Sequence, residues 1–353
     1  MLTHGGDIVG FARRYGVAPL DFSVNTNPFG LSPNAKRALL DAGERAGEYP
    51  DPLYRKLRAA IAAHEDVPME WVACGNGAAD LIWRVVLAQR PKKALVTAPT
   101  FSEYETALNF VNCHVEHHFL TAETGFRVGE DILENITQET GMMFLCNPNN
   151  PTGLTVEPAL LERVLKRCRA CGTLLVVDEC FLGFLPEGER LTVRPQLGEC
   201  SNLLILKAFT KLYGMAGLRL GYCLCSDTEL LAQMGSAGQC WPVSIAAEEA
   251  GIAALQDGGY VEKTLVFLPP ERERVRRALE QLGLRVWPGE ANYLFFYTDI
   301  PNFHQRLAEQ GILIRSCSNY VGLGDGYYRA AILLPEENDR LLAAVERIGR
   351  ETV

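Results

Sequence analysis

MMFLCNPNNPTGLTVEPALLERVLKRCRACGTLLVVD, residues 142–178, sets the pattern of the whole chain. Two continuous apolar runs, MMFLC (142–146) and TLLVV (173–177), flank PALLERVLKRCRA (158–170), in which apolar residues recur at helical spacing. Apolar runs without polar alternation are strands covered on both faces, and strands alternating with helices make a mainly parallel sheet. The rhythm continues outward in both directions. WVAC (71–74), KALVTA (93–98), VEHHFL (115–120), LLIL (203–206) and LGYCLC (220–225) are further expected strands, and ADLIWRVVLAQ (79–89) a further helix. After about residue 245 the texture changes: a charged helical segment, PPERERVRRALEQLG (269–283), precedes alternating strands at YLFFY (293–297), ILIRSC (312–317) and YYRAAI (327–332), with a last helix from near Glu336. The expected architecture is α/β. A loop-rich arm (1–28), with turn signals at Asn27-Pro28 and Gly30, joins the small domain. A large domain (29–245) carries the mainly parallel sheet, and a small α+β domain (246–353) follows.

Bulk properties narrow the function. A chain of 353 residues buries a sizeable core without a disulfide or metal staple. The net charge is −9 and no dense basic run occurs, which argues against nucleic acid and anionic membranes as partners. A small phosphorylated substrate, needing only one or two arginines, stays open. No apolar run reaches the ~18 residues of a membrane span. The eleven cysteines are scattered through apolar stretches, and the CxxC of Cys168 and Cys171 has no second pair at zinc-ribbon spacing, so no metal site is expected. The N-terminus, MLTHGGDIVGF, has no charged-then-apolar signal region, and the expected location is the reduced cytoplasm.

Chemistry-bearing residues gather where strands end, the place where ligands sit in such sheets. Asp178 follows TLLVV; a buried acid needs a charged or hydrogen-bonding partner, although a cap or turn role suits it equally. CNPNNPTG (146–153) is a dense turn whose two adjacent asparagines have amides able to donate to a ligand. In KAFTKLYGMAGLRLGY (207–222), Lys211 lies after a strand in an apolar, glycine-broken setting. Desolvation there lowers an amine's pKa and frees it as a nucleophile, and Arg219 offers a forked donor for a phosphate. CGNGAAD (74–80) is a glycine turn opening a helix, whose N–H groups favour an anion; it lacks the full dinucleotide fingerprint.

In this order and spacing the four features resemble the aspartate-aminotransferase fold of pyridoxal-phosphate enzymes (fold type I), over essentially the whole chain. The resemblance implies pyridoxal 5′-phosphate as cofactor and Lys211 as the lysine that holds it. It implies Asp178 on the ring nitrogen and Asn150 on the ring hydroxyl oxygen. Arg219, Thr210 and the backbone at Gly75, Asn76 and Gly77 would take the phosphate, and Phe101 would stack on the ring. Tyr49, in EYPDPLY, matches a tyrosine that reaches the cofactor phosphate of a neighbouring subunit, which implies a homodimer with shared sites. Arg329 matches the arginine that clamps the substrate carboxylate.

The arm HGGD…LDFSVNTNPFG, the segment PGEANYLFF and the run ILIRSCSNYVGL…YYRAAI narrow the likeness. They look like the threonine-phosphate decarboxylases of the cobalamin pathway, which convert L-threonine O-3-phosphate to (R)-1-amino-2-propanol O-phosphate and carbon dioxide. Histidinol-phosphate aminotransferases, which share YPDP and the lysine and arginine pattern, are the alternative. They usually carry tyrosine three residues after the ring-nitrogen aspartate, where this chain has Phe181, as the decarboxylases do. Both bind phosphorylated substrates; the likeness implies Arg315 on that phosphate, helped by His4 and Asn25. Ala208 stands where relatives often carry a phosphate-binding serine or threonine.

Overall fold

The computed structural model describes residues 4–351. Its strands are β1 (Leu20–Asp21), β2 (Val72–Gly75), β3 (Lys93–Ala98), β4 (His114–Phe119), β5 (Met142–Cys146), β6 (Leu174–Asp178), β7 (Leu203–Ala208), β8 (Gly221–Leu224), β9 (Arg285–Trp287), β10 (Tyr293–Tyr297), β11 (Ile312–Leu313), β12 (Arg315–Ser316) and β13 (Tyr327–Ala331). Seven of them form one sheet in the order β2-β8-β7-β6-β5-β3-β4. The pairs from β7 through β4 are parallel, and β8 runs antiparallel to both its neighbours. Alternate residues of β6 enter different cores. Leu175 and Val177 join the larger apolar cluster, whereas Leu174 and Val176 join a second one across the sheet. Burial on both faces is why these strands lack polar alternation.

A four-stranded antiparallel sheet, β12-β13-β10-β9, lies beyond the large one, and β1 pairs in parallel with β11. The arm is therefore fixed to the C-terminal part of the chain. It is also less loop-like than the sequence suggests. A helix spans Ile8–Tyr15, started by Asp7, whose side chain accepts from Gly10 N, and stopped by Gly16 at φ 74°. The run ILIRSC is two strands rather than one: β11 serves the arm and β12 serves β13. The charged helix starts well before the prolines, spanning Gly258–Gln281 with Pro269 and Pro270 inside it. Proline normally breaks a helix interior. Here Tyr260, Thr264, Leu268, Val275 and Leu279 carry one buried face past the prolines, and that packing offsets the missing N–H groups. Among the described residues no helix is long and apolar enough to cross a membrane.

Candidate active site

The C-terminal ends of β5, β6 and β7 open into a cavity of about 550 Å³. Cys146, Asp178, Ala208, Thr210 and Lys211 line its floor; Ala78, Ala79, Ile82 and Phe101 form a wall; Arg315, Tyr320 and Arg329 enter from the small sheet; and His4, Gly5, Ser23 and Asn25 come from the arm. The strand ends deliver these groups as expected for a sheet of this kind.

Lys211 is held in a tight turn. Its carbonyl accepts from Asn27 N (3.0 Å) and Gly214 N (3.2 Å). Gly214 has φ 65°, and a Cβ there would lie 2.3 Å from the Gly30 carbonyl oxygen, so the turn requires glycine. Burial, then the nearby Arg329 charge, lowers the Lys211 pKa to about 8, with Asp178 and Cys180 acting in the opposite direction. An amine that loses its proton near neutrality is a competent nucleophile.

Asp178 is the last residue of β6, not the first after it. Tyr104 Oη donates to its Oδ2 at 2.5 Å and Cys180 N to its Oδ1 at 2.9 Å. Tyr104 is fully buried and stacks on Phe144 at 4.8 Å, with the rings 9° apart. Burial and the Asp178 charge push the Tyr104 hydroxyl well above its usual pKa, so it stays a donor. The carboxylate is thus fixed from two sides at the cavity floor.

The two asparagines of the NPNNPTG turn divide their work. Asn149 is committed to the turn: its Nδ2 donates to the Pro99 carbonyl (3.0 Å) and Thr152 Oγ1 (3.1 Å), and its Oδ1 accepts from Thr100 Oγ1 (2.8 Å). It is not the ligand donor that its neighbourhood suggests. Asn150 reaches the cavity, and its Oδ1 accepts from Arg329 Nη1 and, at 3.4 Å, from Tyr320 Oη. The acceptor end is occupied, which points the Nδ2 donor end elsewhere.

Arg329 and Arg315 are direct partners across the β12–β13 ladder, and both are buried. Arg329 Nη2 donates to the Ser23 carbonyl at 2.9 Å. Asn25, with its amide turned so that Oδ1 faces the guanidinium, accepts from Arg329 Nη1 and Nε at 3.2 and 3.1 Å. Asn25 therefore holds Arg329, a role its sequence context did not suggest. Arg315 Nη2 donates to Asn319 Oδ1 at 2.8 Å, and its guanidinium lies 5.3 Å from the Tyr320 ring centre. His4 Nε2 lies 2.9 Å from Glu103 Oε1, and the His4 and Phe101 ring centres are 5.8 Å apart.

At the far end of the cavity Arg219 lies against Gly77, where a Cβ would sit 2.7 Å from Nη2. Gly77, at φ 81°, is thus a cradle for a guanidinium. The glycine turn differs from expectation in detail. Asn76 N donates to Asp80 Oδ2 at 2.9 Å, and Ala78 and Ala79 of the helix Gly77–Gln89, not Gly75 to Gly77, line the cavity. Tyr49 is exposed, packs at a tilt against Trp241 with ring centres 4.6 Å apart and does not line the cavity of its own chain. Tyr104, Tyr320, Glu103 and Ser23 are contributors that the motifs alone did not reveal.

The profile of the family Aminotransferase class I and II matches residues 18–345. The chain belongs to this family. Within it, the chain is 39% identical over 352 residues to a threonine-phosphate decarboxylase of Salmonella typhimurium, covering 98% of this chain and 96% of that protein. It is 31% identical to a histidinol-phosphate aminotransferase 1 of Archaeoglobus fulgidus, covering 92% and 97% of the two chains. The crystal structure of the histidinol-phosphate aminotransferase from Clostridium acetobutylicum superposes with a TM-score of 0.87 at 26% identity, over 94% of this chain and 99% of that one.

Pyridoxal phosphate fits the residues of this class I and II aminotransferase chain. A low-pKa lysine and a doubly held carboxylate share the cavity floor, Phe101 supplies an aromatic wall, and Arg219 with Thr210 and a helix start supplies an anion end. Ala208 lines the cavity floor, where it offers no hydroxyl donor.

Proposed function

We propose that this protein is a pyridoxal-phosphate-dependent decarboxylase that converts L-threonine O-3-phosphate to (R)-1-amino-2-propanol O-phosphate and carbon dioxide for cobalamin synthesis. The observation that carries this reading is the pairing of Arg315 and Arg329 at opposed positions of one ladder, both facing the cavity. Like charges directly opposite one another disfavour a sheet. A substrate with two anions, a carboxylate and a phosphate, relieves that cost. The 39% identity to the Salmonella threonine-phosphate decarboxylase supports the same substrate.

When bound, pyridoxal phosphate supplies an electron sink for whichever bond to the substrate Cα breaks. In this reading Lys211 holds the cofactor, Asp178 faces its ring nitrogen and Asn150 its ring oxygen. Phe101 covers the ring, and Arg219, Thr210 and the helix start carry the phosphate. Arg329, held by Asn150, Ser23 and Asn25, takes the substrate carboxylate, while Arg315, with His4, takes the substrate phosphate. Two fixed anion sites would leave the substrate little rotational freedom, so Arg329 and Arg315 would decide which of its Cα bonds is presented for cleavage. Positioning of this kind contributes on the order of 7–11 kcal/mol at best. After carbon dioxide leaves, Lys211 Nζ returns a proton to Cα. The working unit is a cytoplasmic homodimer in which Tyr49, exposed in its own chain, completes a neighbour's site.

The test is to incubate the cofactor-loaded protein with L-threonine O-3-phosphate and no keto acid, and to assay carbon dioxide and aminopropanol phosphate. Sustained release of both is expected. No release, with conversion of the cofactor to its amine form by histidinol phosphate, would make the protein an aminotransferase instead.

A further inference from the structure

Among the described residues two acids line the cavity, Asp178 and Glu103, amid the cations Lys211, Arg219, Arg315 and Arg329. Asp178 has a place opposite the cofactor ring. Glu103 has none: a carboxylate beside a site for a doubly anionic substrate opposes binding unless it is engaged elsewhere. It is engaged by the arm, since an ionised carboxylate only accepts and His4 Nε2 lies 2.9 Å from its Oε1. The arm is clipped on its other side as well. Asp21 Oδ1 accepts from Ser23 N (2.8 Å) and Ser23 Oγ (2.6 Å), and Ser23 Oγ accepts from Gly6 N (2.8 Å). Gly5 packs so closely on this unit that a Cβ would lie 2.4 Å from the Ser23 carbonyl oxygen. Residues 21–23 are tied to the small sheet by the Arg329–Ser23 bond and by Ala331 N of β13, which donates to the Phe22 carbonyl at 2.9 Å. Glu103 begins the helix Glu103–Phe110, which follows β3 of the large sheet. The His4–Glu103 contact thus ties the small-sheet side to the large-sheet side across the cavity mouth.

We infer that Glu103 is a positioning residue for the phosphorylated end of the substrate. By holding His4, it seats residues 4–6 as a roof beside Arg315 and sets the spacing between the two sides of the site. The effect on catalysis rests on the phosphorylated substrate proposed above; the effect on the arm does not.

Two measurements on the cofactor-loaded protein separate these. In the absence of substrate, hydrogen exchange of the N-terminal arm is compared between the parent protein and Glu103→Ala. The variant is expected to lose at least tenfold protection at Gly6, whereas Glu103→Gln, whose amide oxygen still accepts from Nε2–H, retains most of it. With L-threonine O-3-phosphate, Glu103→Ala is expected to raise KM about tenfold, with the loss falling on KM rather than kcat. His4→Ala should cost at least as much, since it also removes a group proposed to meet the phosphate, and the double variant should be no worse than His4→Ala alone. Unchanged arm exchange in Glu103→Ala overturns the clasp. Altered exchange with unchanged KM, a loss confined to kcat, or multiplying effects in the double variant overturns the positioning role. If the parent protein does not turn over threonine phosphate at all, the substrate proposal falls while the exchange experiment still judges the clasp.

Discussion

Lys211 provides the most quantitative consequence of the cavity's electrostatics. In the proposed role its amine bonds the cofactor only after losing its proton, and burial, followed by the Arg329 charge, lowers its pKa from 10.5 to about 8. The sign is that of a cation made less favourable, so the neutral amine accumulates as pH rises through about 8. At pH 7 that leaves roughly a tenth of the lysine neutral, about 300-fold more than for an unperturbed one. Mixing the cofactor-free protein with pyridoxal phosphate and following the absorbance of the bound cofactor from pH 6 to 10.5 measures this directly. The capture rate should climb about tenfold per pH unit at first and level off above about pH 8. Replacing Arg329 by Gln removes the second cause of the shift and should move the levelling point to higher pH, with slower capture at pH 7. Lys211→Ala should capture none covalently. A parent rate that keeps rising without a break to pH 10.5 would refute the assigned environment of Lys211.

Tyr104→Phe removes the 2.5 Å donor to Asp178 and leaves a buried carboxylate oxygen short of a partner, a loss of about 1.5–3 kcal/mol for a bond to a charged group; spectroscopic titration should show correspondingly weaker cofactor binding. If Arg315 holds the substrate phosphate as proposed, Arg315→Ala should raise KM roughly 10- to 150-fold in steady-state assays, with little change for unphosphorylated threonine if it reacts. Burial alone would raise the pKa of Glu65, but the Lys207 charge and bonds from Tyr222, Arg194 and Lys207 outweigh it and hold the group at about 2. A depressed carboxyl stabilises the fold fully above its unfolded value of 4.5 and loses that contribution, roughly 3 kcal/mol, as pH falls toward 2. Urea unfolding of Glu65→Gln should therefore show a deficit against the parent at pH 7 that shrinks by pH 3.

The large sheet was legible because its strands are buried on both faces. β3 and β5 fall on KALVTA and MMFLC without a residue's difference. The long helix was harder to place, since Pro269 and Pro270 signal a start in sequence but lie inside a helix sustained by packing. ILIRSC divides because its halves pair with different partners, a tertiary choice that local pattern does not encode. Residues expected to form the site from strand-end motifs, such as Lys211, Asp178, Asn150 and Arg219, do converge on one cavity. What escaped were residues acting through others. Tyr104 lies three positions after Phe101 in APTFSEY, but its bond to Asp178 spans 74 positions. Asn25 and Arg329 lie still further apart, and no spacing rule links them.

The register of β12 against β13 also works as a ruler. Opposed residues of an antiparallel ladder have their Cα atoms about 4.5–5.5 Å apart, a separation fixed by backbone hydrogen bonds rather than by side chains. With Arg315 and Arg329 at such positions, the two arginine side chains start from points whose spacing the backbone fixes. The register itself cannot be retuned in small steps, because sliding one strand by one residue turns its arginine to the opposite face. Specificity on this scaffold can therefore drift through side-chain length or through the arm, but not through the sheet.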